Sequence, residues 1–323
     1  MTTPSRNVSV IEPVGRALDR VNVMLFRPFD LGKWFTIGFC AWLALLGESG
    51  GGGGFHFNVP SGGSHHGGNV RRELERAWEY VLANLFWIVP LAVTLVVVGL
   101  AFWVLFKWLS SRGHFMFLHC VALNRAAVVE PWNEFAREAN NLFLFRLVLG
   151  LLSIITTLPL VVLGVVLAWR LFVTQHFTVA GVMGLGALVL AIVALSLICV
   201  LIEKLTKDFV VPLMYLRRRG CVECWGELLT LLRGYAGEFI LWLLFQIVLG
   251  LAVSAIVLAA VVVTCCIACC VLALPYVGTV LLLPVLIFER AYALHFLAQF
   301  GPTFDVFTPS RLLDAGAAPS AAA

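Results

Sequence analysis

The sequence predicts an all-α, polytopic transmembrane helix bundle of about six spans, and two observations carry that expectation. Of 323 residues, 61% are apolar and only 12% are charged, against roughly 45–50% and about 25% in soluble domains. The charge is also uneven: long stretches free of Asp, Glu, Lys and Arg alternate with short segments where charge gathers. A water-facing surface for a chain of this length cannot be built from so few charged side chains.

A hydrocarbon core about 30 Å thick takes roughly 20 apolar residues in helix. Residues 86–106, 147–169, 179–202, 239–263 and 271–288 each supply such a run without a charged side chain. Residues 31–47 make a shorter sixth run. Its Lys33 sits near the start, where a long basic side chain can keep its stem in the apolar zone and its head in water. Pro90, Pro159, Pro275 and Pro284 fall inside spans and predict kinks, which membrane bundles tolerate because neighbouring groups take up the freed carbonyls.

Between the spans the pattern changes. The first 28 residues lack the charged start, apolar stretch and small-residue site of a secretory signal, so no cleavage is expected. Val14, Leu18, Val21, Leu25 and Phe26 recur at helical spacing opposite Arg16, Asp19, Arg20 and Arg27, which predicts an amphipathic helix in the membrane interface. Residues 69–85 repeat the pattern. Between 48 and 69 lie five consecutive glycines, Gly50 to Gly54, with His56, His65 and His66. That composition predicts a flexible external loop, and without Gly-Lys-Ser/Thr it is no phosphate-binding loop. Residues 1–311 are expected to form one integral membrane domain, followed by a disordered tail over 312–323.

Six spans place 18 of the 22 basic side chains on one side and four, Arg71, Arg72, Arg76 and Arg170, on the other. Cytoplasmic loops carry the excess of Lys and Arg, so both termini are expected in the cytoplasm. Fourteen of the 18 acidic residues fall on that same side. The polar mass of the protein is expected there.

An internal repeat is also visible. Residues 115–132 run into Val-Val-Glu-Pro-Trp-Asn-Glu-Phe, and residues 209–225 into Gly-Cys-Val-Glu-Cys-Trp-Gly-Glu-Leu; each is followed by an amphipathic segment and a span. A weaker third copy arises if the ends are joined, with 288–307 as its outgoing helix and Ile11-Glu12-Pro13-Val14 as its turn. The expected architecture is three two-span hairpins, pairing spans one with two, three with four and five with six.

No set of residues rises to a specific chemistry, and no catalytic residue, cofactor or metal site is expected. Cys265, Cys266, Cys269 and Cys270 form a thiol cluster on one helix. A single helix cannot offer four tetrahedrally converging thiolates, so apolar packing accounts for them best, ahead of a disulfide. Cys221 and Cys224 make a lone C-x-x-C with no second pair to complete a zinc ribbon. Ionisable residues avoid the span centres, where Gln246 is the strongest polar group. They gather at the expected cytoplasmic boundary: Glu203, Lys204, Asp208, Glu289 and Arg290 form a candidate interfacial polar cluster, with Glu203 and Lys204 spaced to pair with Lys207 and Asp208. Arg217, Arg218 and Arg219 are a candidate site for anionic lipid headgroups. Nucleic acid is not an expected partner, since no basic domain extends beyond the spans.

Arg27-Pro28-Phe29, Lys33-Trp34-Phe35, the glycine loop, the two Cys-Cys pairs, Pro275-Tyr276 and Phe300-Gly301-Pro302 resemble an uncharacterised family of bacterial multi-pass proteins. The resemblance covers most of the chain, including 113–145. In layout the chain is also similar to the membrane domain attached to some glycerophosphoryl diester phosphodiesterases, but it contains no phosphodiesterase sequence, so no catalytic residue carries over. The resemblance implies a bacterial inner membrane location and no known activity. The expected role is a non-enzymatic scaffold, lipid-interacting component or accessory subunit. Its expected partners are membrane lipids, with copies of itself or other membrane proteins left open. A transporter or channel is the alternative; a lipid-modifying enzyme using Glu203, Asp208, Glu289 or His295 is the second.

Overall fold

The computed structural model describes residues 8–46, 83–174, 178–264 and 274–307. The expected loop 48–69, the thiol cluster at Cys265, Cys266, Cys269 and Cys270, and the tail 312–323 lie outside the described residues, as does most of the amphipathic stretch 69–85. Among the described residues the fold is entirely helical. Helix α1 (Glu12–Val21) continues through a π-helical turn (Asn22–Phe26), and α2 (Leu31–Leu45) follows. Next come α3 (Leu85–Leu123), α4 (Val129–Glu134), α5 (Ala136–Thr174) and α6 (Val179–Leu205). A second π-helical turn (Thr206–Val210) joins α6 to α7 (Val211–Arg217). Then follow α8 (Cys221–Gly234), α9 (Ala236–Val263), α10 (Pro275–Leu281), α11 (Leu283–Ala298) and a 3-10 turn (Pro302–Phe304).

Four helical stretches are long and apolar enough to cross a membrane: Phe86–Leu123, Ala136–Leu171, Val179–Arg217 and Ala236–Val263. At 1.5 Å per residue, the 39 residues of α3 extend about 58 Å, nearly twice the hydrocarbon thickness. The surplus explains a division along each helix. In the first three stretches no residue of the most apolar window is buried, whereas the buried core is built from the more polar helix ends: 115–122, 135–142, 205–214, 239–242 and 283–297. The most apolar surface is thus the most exposed, the reverse of a protein folded for water.

Aromatic rings fill that core. Phe209, Phe239, Trp242, Phe296 and Phe300 interlock with centroids 4.7–6.0 Å apart, Tyr292 stacks parallel to Trp242 at 6.5 Å, and Phe135 stacks on both Phe115 and Tyr215. Outside the core, α5 and α6 form an antiparallel pair, with Gly164 against Leu188 and Gly181 against Leu171. Helix α3 reaches α5 where Trp103 covers Gly150.

The first expected span behaves differently. Helix α2 has 15 residues, about 23 Å, too short for the hydrocarbon core without help. It does not pair with 86–106. Ser110 Oγ donates to Ala44 O at 2.6 Å, Cys40 and Cys120 meet sulfur to sulfur at 3.9 Å, and Lys33 Nζ donates to Asn124 Oδ1 at 2.8 Å. Helix α2 therefore runs antiparallel to 110–124, so it pairs with the helix of the second expected span at its polar half and not along the apolar run. A run of this length suits a core helix as well as a short span, and Ile37, Cys40, Ala41, Leu43 and Ala44 are buried.

The last expected span, 271–288, also departs. It breaks at Leu282 (φ −83°, ψ 1°), where Pro284 offers no backbone N–H to continue the ladder. The second piece, α11, then runs ten residues beyond the expected end, to Ala298.

The ends of the described chain meet. Ser9 and Gln299 exchange hydrogen bonds at 2.7 and 2.8 Å, Tyr292 Oη donates to Val10 O, and α1 buries Ala17 and Val21 while Leu18 stays exposed. The two internal cassettes end their outgoing helices alike: Asn124 caps α3 at φ 57° and Arg218 caps α7 at φ 55°, both left-handed C-caps. Arg20 adds two bonds to Val121 O and one to Ala122 O, placing positive charge at the C-terminus of α3, where the helix dipole favours it.

His295 lies in this closure, stacked on Phe307 at 4.4 Å. Burial lowers its pKa to about 4; Arg16 and Arg20 act in the same direction and Asp305 opposes them. A histidine held neutral in the fold takes up protons more readily when unfolded, where its pKa is about 6.5. Its contribution to stability is therefore complete above that value and is lost as pH falls toward about 4. The expected result is a thermal midpoint that drops between pH 6.5 and 4 in detergent solution, with a shallower drop for His295→Phe; equal slopes would contradict the assignment.

Candidate functional site

Lys107, Arg146 and Glu203 are the first ionisable residues beyond the apolar runs 86–106, 147–169 and 179–202. Because α3, α5 and α6 pack side by side, the three arrive at one level and converge. Glu203 Oε1 accepts from Arg146 Nη2 at 2.8 Å and Lys107 Nζ at 3.3 Å, and Lys207 Nζ lies 4.0 Å away. Arg146 is buried. Its Nη1 donates to Ser110 Oγ at 3.1 Å, and that hydroxyl donates to Ala44 O, which connects the charged centre to α2.

Three cations surround one carboxylate. A buried charge persists only when it is paired and hydrogen-bonded, and Lys107, Arg146 and Lys207 all direct their positive ends at the Glu203 carboxylate. A cavity of about 100 Å³ opens on it, lined on the polar side by Lys107, Arg146, Glu203 and Thr206, and on the apolar side by Phe145, Leu149, Gly150, Ser153 and Cys199. This space holds several waters or one small anionic group. Its lining passes from cationic to apolar across one helix turn.

The remaining residues of the expected cluster form an adjoining group. Lys204 pairs with Asp208 at 3.2 Å and sits 5.5 Å above the Trp242 ring. Arg290, buried in α11, donates to Lys207 O at 2.5 Å; a π-helical turn shifts carbonyls out of the regular ladder and suits such an acceptor. Burial raises the pKa of Glu289, Lys204 opposes that rise and Asp208 adds to it. The five expected residues thus occupy one neighbourhood around Thr206–Val210. Lys107, Arg146 and Ser110 complete it from other helices. Their signal in the sequence was positional: Lys107 and Arg146 each flank an apolar run.

Arg217 and Arg218 are committed elsewhere. Arg217 Nη2 bonds Glu227 Oε1 at 2.7 Å. Arg218 pairs with Glu134 and lies 3.9 Å over the Phe135 ring, while Arg219 is exposed. Cys221 and Cys224 are buried, which pushes their thiols up to about 12 and about 11; such thiols behave as packing groups. His295 stacks on Phe307, and of the four residues of the enzymatic alternative only Glu203 lines the charged cavity. Gln246 is buried, and neither the charged cavity nor an apolar groove between α3 and Phe143 includes it in its lining.

A family model described as a family of unknown function, DUF7544, matches residues 8–283. No curated protein and no solved structure matches the chain.

Proposed function

The chain belongs to the DUF7544 family, whose function is unknown, and we propose that it is a non-enzymatic integral membrane protein that holds an anionic phospholipid by its phosphate in the cavity between Lys107, Arg146 and Glu203. The observation that carries this reading is the convergence of three cationic side chains beside a cavity at the level where three apolar helix halves end. Phosphate groups of a bilayer lie at that level when the apolar halves span it. A cation near anionic lipid contributes about 1 kcal/mol, and guanidinium suits phosphate oxygens. The apolar lining from Phe145 to Ser153 offers the start of an acyl chain a matching surface. We place this charged layer in the cytoplasm, with both termini, on the 18-to-4 division of basic residues, in a bacterial inner membrane. With α1 closed on α11, the expected three-cassette repeat would build one polar layer from all three outgoing helices.

Nanodisc titration tests it. With increasing phosphatidylglycerol in phosphatidylcholine discs, the thermal midpoint is expected to rise, because a ligand bound only by the folded state stabilises it. Zwitterionic discs with inorganic phosphate separate a headgroup from the free ion. A midpoint indifferent to anionic lipid contradicts the proposal.

A further inference from the structure

The turn between α3 and α4 brings together groups that the lipid site does not use. A ring nitrogen of His119, at the end of α3, and one carboxylate oxygen each of Glu130 and Glu134, on successive turns of α4, lie within 4.8 Å of one another. His119 is 4% exposed. Its Nδ1 is 3.3 Å from Tyr215 Oη, whereas Nε2 is buried and has no hydrogen-bond partner among the described residues. A buried ring nitrogen left unpaired is costly in a packed layer, so the arrangement has a polar group still to satisfy beside two exposed carboxylates.

We propose that His119, Glu130 and Glu134 bind a divalent first-row transition ion. One imidazole nitrogen and two carboxylate oxygens are suitable donors, with water completing the shell. At about 2.1 Å each, neighbouring ligand atoms around an ion are about 3.0–3.4 Å apart and opposite ones about 4.2 Å, so the exposed glutamates must draw in by rotamer changes to close the site. Proton placement follows: with Nδ1 protonated and donating to Tyr215 Oη, the Nε2 lone pair is left for the metal, and the tyrosine fixes the ring as an outer partner. Arg218 is the competitor, since its guanidinium pairs with Glu134 when no ion is bound. Binding would tie the end of α3 to α4 and release Arg218, coupling the two cassette turns.

Mn²⁺ is the probe, because carboxylate and water ligands suit it and its paramagnetism reports the free ion directly. In electron paramagnetic resonance titrations of the full chain in detergent, one Mn²⁺ per chain is expected to leave the free pool. Glu130→Gln should weaken this roughly tenfold or more, and Arg218→Gln should tighten it by freeing Glu134. Glu130 is exposed, so Glu130→Gln should keep the metal-free thermal midpoint while losing its rise with Mn²⁺. Absence of bound Mn²⁺, equal affinity in wild type and Glu130→Gln, or weaker binding in a folded Arg218→Gln protein would each overturn the proposal.

Discussion

Replacing Gly113 by alanine is expected to destabilise the protein by about 3 kcal/mol or more, at the upper end for an added methyl in a packed core. An added Cβ would lie 2.3 Å from Ala44 N and 2.5 Å from Leu43 C. Both are backbone atoms, so no side chain can swing aside, and α2 must leave α3. The Ser110–Ala44 bond and the Cys40–Cys120 contact flank this crossing, and both would be strained. Gly99, on the apolar half of the same helix, has nothing within 4 Å of such a Cβ. Gly99→Ala is therefore the control and should be neutral or slightly stabilising. Thermal unfolding of the two variants in one detergent reads the difference; equal midpoints would show that α2 does not cross α3 so closely.

Removing the charge of Glu203 should have the second large effect. Glu203→Gln leaves Lys107, Arg146 and Lys207 around a neutral amide. Breaking a buried pair costs about 3–5 kcal/mol; the Glu203 side chain is 31% exposed, so a loss of about 2–3 kcal/mol is expected. Neutralising Arg16, whose pair with Glu12 is an exposed i,i+4 contact on one helix, should cost no more than about 0.5 kcal/mol. The double variant Glu203→Gln/Arg146→Gln should recover part of the loss, a coupling of about 1–2 kcal/mol. Strict additivity would mean that the two side chains do not interact.

The helical class was legible because apolar run length is a one-dimensional property, and so was the boundary, because Lys107, Arg146 and Glu203 each terminate such a run. Other features depended on partners distant in sequence. The apolar content of α2 fits a core helix and a short span equally; Gly113, seventy residues on, decides between them by admitting its backbone. Likewise the break at Leu282 could not be read from Pro275 and Pro284 alone, since proline bends some spans and ends others. A basic run shows charge but not its partners: the pairing of Arg217 with Glu227 and of Arg218 with Glu134 is not legible in the run itself. Lys204–Asp208 and Lys207–Glu203 could be foreseen from helical spacing, whereas Arg146 and Lys107 reach Glu203 only through tertiary packing.

Lipid retention measures the proposed headgroup site most directly. The full chain and Lys107→Gln/Arg146→Gln, extracted under identical conditions, would be compared by native mass spectrometry. The wild type is expected to carry one anionic phospholipid per chain through delipidating wash. The double variant should lose it, while Arg170→Gln, on the other side of the apolar zone, keeps it. Equal retention by a folded double variant, or a wild type that retains only zwitterionic lipid, would contradict the anionic-phosphate reading.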